Sequence, residues 1–188
     1  MSNYKYSQEW FLGTELKQRM FSFCDRDKPN NILEIGCFEG LSSVFFADNF
    51  LNHPNSSLIC VDPFLTIHNN DHIKFLLNNE EANFDYNIST CRNTDKITVH
   101  KITSDKFFEN NRKTYNFIYI DGSHDPEYIK RDMENAFNIL EKNGIMWMDD
   151  YGGGDGIQIR NTMNLFLKKY MGQYELIHIG YQLAIRKM

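Results

Sequence analysis

Two short blocks concentrate the side chains able to do chemistry. Ile120-Asp121-Gly122-Ser123-His124 closes one apolar run, and Asp149-Asp150-Tyr151 closes another. If both runs are parallel strands joined by the intervening helical segment, a right-handed crossover sets them side by side or nearly so. Neighbouring strands lie about 4.8 Å apart, so Asp121, Asp149 and Asp150 are expected to converge at one sheet edge. Three carboxylates there repel unless a proton or a cation joins them. Oxygen-only donors with no cysteine beside them favour Mg²⁺ or another hard divalent ion. The alternative is that one aspartate contacts a cofactor amine while the others cap the segments that follow. His124 lies three residues beyond Asp121 at the same edge, where an imidazole can take a hydroxyl proton as the oxygen attacks. The other histidines (His53, His68, His72, His100 and His178) read as surface or satisfied core residues.

A third block, Glu34-Ile35-Gly36-Cys37-Phe38-Glu39-Gly40, places an acidic residue and two glycines between a strand and a helix. Gly36 lets the backbone turn sharply and approach a ligand, and Gly40 permits close helix–strand packing. The spacing is E-x-G-x-x-x-G, not the G-x-G-x-x-G that cradles a pyrophosphate, so a nucleoside-type ligand without phosphate suits it better. Glu34, Gly36, Phe38, Glu39, Gly40 and Ser42 are the candidate cofactor contacts in this block. Asp62 closes the second strand, where a carboxylate reaches ribose hydroxyls in a doubly wound sheet; taken alone it is also an ordinary Asp-Pro turn. Ser104 and Asp105, past the third strand, are expected near the base edge, although Ser-Asp is equally helix-cap chemistry.

Positioning these groups requires alternating strands and helices. Strand-like runs occur at Ile32–Gly36, Ser57–Val61, Lys96–Ile102, Phe117–Ile120 and Ile145–Met148, with helical patterns at 41–51, from Asp125-Pro126 to Asn143-Gly144, and at 157–170. This alternation argues for a mostly parallel sheet covered on both faces. At the C-terminus, Tyr174–Ile179 and Gln182–Lys187 are separated by Gly180-Tyr181 alone, too short a link for anything but antiparallel pairing. The expected fold is a doubly wound α/β domain with a mostly parallel seven-stranded sheet and a C-terminal antiparallel hairpin. Residues 1–25 read as an aromatic-rich helical lid or cap, and 64–92 as a polar insertion near the active site with helical character around Ile73–Leu77. One domain over 1–188 is the simplest organisation.

The formal net charge of -5 carries no electrostatic footprint for nucleic acid. No apolar run is long enough to span a bilayer, and residues 1–9 lack a signal-peptide core. Cys24, Cys37, Cys60 and Cys91 form no CxxC pair, and Cys37 and Cys60 are expected to be buried free thiols in a reducing, cytoplasmic setting.

Tyr6–Phe11, Leu33–Gly40, Ile118–His124 and Asp149-Asp150-Tyr151 together resemble the class I S-adenosylmethionine-dependent methyltransferases of methyltransferase family 24, over nearly the whole chain. The resemblance implies S-adenosylmethionine as cofactor. Related metal-dependent O-methyltransferases hold Mg²⁺ through an aspartate ending the fourth strand and an acidic or amide pair ending the fifth, a pattern that falls on Asp121, Asp149 and Asp150. The catechol type has a lysine base where this chain has His124, as sugar-modifying relatives do. The expected reaction is methyl transfer to a hydroxyl of a small-molecule acceptor, a sugar or other polyol; a homodimer is compatible with it. Two competitors are a non-catalytic binding module on the same fold and a nicotinamide-dependent oxidoreductase, the latter disfavoured by the missing G-x-G-x-x-G and by the hairpin.

Overall fold

The computed structural model describes residues 4–65, 79–153 and 157–188. Seven strands form one sheet: β1 (Asn31–Ile35), β2 (Ser57–Val61), β3 (Ile97–His100), β4 (Tyr115–Ile120), β5 (Leu140–Met148), β6 (Tyr174–Ile179) and β7 (Leu183–Lys187), in the order β3-β2-β1-β4-β5-β7-β6. The first five are parallel; β7 enters antiparallel between β5 and β6. The helices are α1 (Glu15–Phe23), α2 (Leu41–Phe50), α3 (Glu80–Thr90), α4 (Ser104–Asn110), α5 (Pro126–Ile139) and α6 (Ile157–Lys169), with a 3-10 turn at Trp10–Gly13.

The two-residue alternation of the strands divides the interior into two cores. Ile32, Leu58, Phe117, Tyr119 and Trp147 face α1, α2 and α3. Leu33, Ile35, Ile59, Ile118, Ile120 and Met146 face α4, α5 and α6. The same alternation turns Glu34 toward α2. All five parallel strand ends line up through backbone bonds from Gly36 N to Val61 O (2.9 Å), Asp62 N to His100 O (3.2 Å), Asp121 N to Ile35 O (2.8 Å) and Asp149 N to Ile120 O (3.0 Å). The order reverses between β1 and β4, and a crevice outside the strand ends at such a reversal is where open α/β sheets take ligands.

Local signals explain the boundaries. Pro126 opens α5 and the Asp125 carboxylate accepts from Glu127 N at 2.9 Å. The helix stops at Ile139, four residues before the expected Asn143-Gly144, because Leu140 already pairs with Tyr115 and Asn143 turns at φ +64°. The latter half of 64–92 contains α3, the crossover helix between β2 and β3, which buries Phe84, Asn87 and Ile88. The expected helical character around Ile73–Leu77 lies outside the described residues. All four cysteines are free, with Cys37, Cys60 and Cys91 buried. Among the described residues no helix is long and apolar enough to cross a membrane.

Candidate active site

The glycine turn is held from below. Gly36 has φ +85°, and a Cβ there would lie 2.0 Å from the Asp121 carbonyl oxygen. Only glycine permits that approach of the β1 and β4 ends. Glu34, fully buried under α2, accepts hydrogen bonds from the Ser42 hydroxyl and, at 2.5 Å, from the Ser43 hydroxyl. Burial pushes its carboxyl up to about 7, against the pull of the serines. Glu39 is also buried; it accepts from Ser7 N at 2.5 Å and Asn83 Nδ2 at 2.7 Å, tying the N-terminal arm to α3. Glu34, Glu39 and Ser42 therefore stand beneath the turn as its supports, with their polar atoms committed to protein partners. Gly40, at φ +80°, packs against the Phe84 ring.

Asp62 braces the same turn from β2. One carboxylate oxygen accepts from Cys37 N at 2.8 Å and Phe38 N at 3.0 Å, the other from Phe64 N at 2.7 Å. Phe38 adopts φ +48° and its ring stacks on Trp10, centroids 5.3 Å apart, with Trp10 66% exposed. Ser104 and Asp105 are tied to α5. Asp105 pairs with Arg131 at 2.8 Å, and Ser104 stands near the buried Asp132, whose carboxyl burial raises to about 6. The N-cap of α4 is Thr103.

At the other end of the crevice β4 and β5 are neighbours, as the crossover argument requires, with Ile120 opposite Met148. The Tyr119 hydroxyl lies 2.9 Å from Asp121 Oδ2 and 2.8 Å from Asp149 Oδ2, sharing its one proton between two carboxylates. Burial, then the charges of Asp149 and Asp150, drive the Asp121 carboxyl well above its ordinary range. Burial and Asp150 raise Asp149 in the same direction. Asp150 departs from the expected convergence. At φ +63° it turns to His124, whose Nε2 is 2.9 Å from Oδ2, and to Tyr181, whose hydroxyl donates to Oδ1 at 2.8 Å. Burial alone would raise Asp150, but these two bonds outweigh it and its carboxyl lies below the usual range. Asp150 stands beyond the end of β5 with a left-handed backbone, and that turn of the chain parts it from Asp149.

Tyr119 carries no role in the sequence reading, yet it joins the two acidic strand ends. Its signal was present: Tyr119 and Asp121 are two apart on one strand and share a face. Gln182 was missed as well; it is buried behind Asp149, and nothing local in the sequence marks it.

Asp121 and Asp149 fit a hard divalent ion by chemistry, being an all-oxygen, half-desolvated pair whose mutual repulsion a cation would relieve. Asp150 would have to leave His124 and Tyr181 to join them. Among the described residues, the only trio of His, Cys, Asp or Glu donor atoms lying within 4.8 Å of one another is Glu34, Cys37 and Cys60, all buried beneath the glycine turn.

A family model described as a methyltransferase domain, of family 24, matches residues 33–151. Solved structures share the fold. A Clostridium thermocellum protein described as an rRNA methylase superposes with a TM-score of 0.71 at 16% identity, covering 100% of this chain and 98% of that one. A Staphylococcus aureus protein described as a caffeoyl-CoA O-methyltransferase gives 0.63 at 21% identity, covering 98% and 86%. A TDP-rhamnose 3'-O-methyltransferase of calicheamicin biosynthesis gives 0.62 at 16% identity, covering 90% and 76%. No curated protein matches the sequence. The matched span takes in the glycine turn, Asp62 and both acidic strand ends, and the chain belongs to the family-24 S-adenosylmethionine-dependent methyltransferases.

Proposed function

We propose that the chain methylates a hydroxyl of a sugar or other small polyol, with a divalent cation, Mg²⁺ by preference, assisting. The observation that carries this reading is the meeting of Asp121 and Asp149 on the Tyr119 hydroxyl, beside His124 on Asp150. S-Adenosylmethionine supplies a methyl group already activated on sulfonium, leaving the protein to align two reactants and manage one proton. Gly36, Phe38 and Gly40 present the turn over which the cofactor lies, and Asp62 keeps it in shape. His124, exposed at the rim, takes the acceptor's proton, and Asp150 orients its imidazole and offsets the charge that results. Asp121 and Asp149 would hold the cation, which lowers the pKa of a coordinated hydroxyl. The Trp10–Phe38 stack frames the acceptor's entry. The acidic net charge supports a small acceptor over a polyanionic one.

Transfer of labelled methyl from S-adenosylmethionine to a panel of sugars, polyols and catechols tests the reading. Transfer to a hydroxyl that EDTA suppresses and Mg²⁺ restores is the expected result. Full transfer in EDTA removes the cation and leaves Asp121 and Asp149 to hydrogen bonding; transfer to nitrogen or to RNA alone overturns the acceptor assignment.

A further inference from the structure

The N-terminal helix and the acidic strand ends are joined through two residues that neither the glycine turn nor the proposed proton transfer uses. Glu15, the first residue of α1, reaches the β6–β7 turn. Its carboxylate accepts from Gln182 N at 2.8 Å and Tyr181 N at 3.2 Å, and lies 3.1 Å from His178 Nε2. The fit is close enough that a Cβ on Gly180 would fall 2.2 Å from Glu15 Oε1. Those backbone bonds and His178 outweigh burial and hold the Glu15 carboxyl below its ordinary value.

Gln182, fully buried, continues the path inward. Its side-chain oxygen accepts from Leu16 N at 2.7 Å, an N–H of the first turn that has no partner within the helix, and from the Trp147 indole at 2.9 Å. Its side-chain nitrogen is buried without a hydrogen-bond partner, and the antiparallel register, with Met148 opposite Leu183, brings residue 182 beside Asp149. Residue 181 completes a parallel path, since the Tyr181 hydroxyl donates to Asp150 and its carbonyl accepts from Gly152 N at 2.8 Å. Two adjacent residues of one hairpin turn thus face two adjacent aspartates, and both are clamped by one carboxylate of α1.

We infer that Glu15 and Gln182 are positioning residues for Asp149 and Asp150, so that seating of the N-terminal helix on the hairpin turn sets where both carboxylates stand. This rests on the proposed role of those carboxylates, but its test reads the backbone and not turnover. In the full chain, Glu15→Ala is compared with the wild type by amide hydrogen exchange. Asp150 N, bound to Asp149 Oδ1 at 2.8 Å, and Gly152 N, bound to Tyr181 O, are the reporters. Both are expected to exchange about tenfold faster or more, with Asp121 N and the β1 amides unchanged. Gln182→Met, which keeps the bulk and removes the carboxamide, is expected to speed Asp150 N alike and serves if Glu15→Ala folds poorly. Where methyl transfer is measurable, both variants lower kcat and leave the KM for S-adenosylmethionine in place. Faster exchange confined to residues 15–23, with 149–152 as protected as before, overturns the inference whether or not the chain transfers methyl.

Discussion

Gly36 and Gly172 have the same backbone angle, φ +85°, and opposite surroundings, so together they separate backbone strain from packing. At Gly172 nothing lies within 4 Å of the place an added Cβ would take, and Gly172→Ala incurs only the left-handed penalty, about 1–2 kcal/mol. At Gly36 the added carbon would meet Asp121 O at 2.0 Å, Asp121 C at 2.5 Å and Gly122 Cα at 2.6 Å, all backbone. No rotamer relieves that clash, so the β1 and β4 ends must separate and strain the 2.8 Å bond from Asp121 N to Ile35 O. Adding overpacking and a weakened bond brings Gly36→Ala to about 3–5 kcal/mol. For a chain of this size each kcal/mol moves Tm by roughly 2–4 °C. Thermal unfolding followed by circular dichroism should therefore show Gly36→Ala melting on the order of 10 °C below the wild type, and Gly172→Ala only a few degrees below. S-Adenosylhomocysteine affinity should fall in the first variant alone. Equal Tm shifts in the two variants would refute the argument that the strand ends are in obligatory contact at Gly36.

Three further outcomes follow from the same geometry. Glu34 holds its proton to about pH 7 when folded but releases it near its ordinary 4.5 when unfolded, so its burial lowers stability progressively as pH rises between those values. The loss is complete above that window and amounts to about 3 kcal/mol; urea unfolding of Glu34→Gln should lack that part of the slope, and an unchanged slope would count against a buried acid. Asp62→Ala removes the acceptor of three backbone N–H groups and should weaken S-adenosylhomocysteine binding by about 1–3 kcal/mol in calorimetry; unaltered binding by a folded variant would place the cofactor elsewhere. His124→Ala should slow single-turnover methyl transfer by about 10²–10⁴-fold with little change in Tm, since the side chain is 67% exposed; early melting with normal transfer would make His124 a brace for the start of α5.

The features legible in the sequence were those that local chemistry decides. A two-residue link admitted only the β6–β7 hairpin, Asp125-Pro126 could hardly be other than a helix start, and Gly36 announced a turn that no side chain fits. The helix at 80–90 was not legible because a polar Asn87 fills one of its three buried positions, so its apolar stripe is only Phe84 and Ile88. The direction of Glu34 was decidable in principle, since counting by two from Ile32 puts it on the α2 side. An acidic residue beside a glycine turn nevertheless reads as ligand-facing until Ser42 and Ser43 are seen to surround it. Asp150 and Gln182 lay beyond any local rule: their partners are Tyr181, His124, Leu16 and Trp147, brought together only by the completed sheet.

The chain has two tryptophans, and the fold has put them in opposite optical environments. Trp147 is fully buried, its indole N–H bonded to Gln182 and its ring stacked on His178. Trp10 stands largely in water on the ring of Phe38. An aqueous collisional quencher such as acrylamide can strike one and not the other, so the emission divides into a long-wavelength, quenchable part from the cap and a short-wavelength, protected part from the sheet. The protein thus carries an unlabelled fluorescent gauge at the rim of its own crevice. Anything that settles over the Phe38 turn changes the first component and leaves the second as an internal reference.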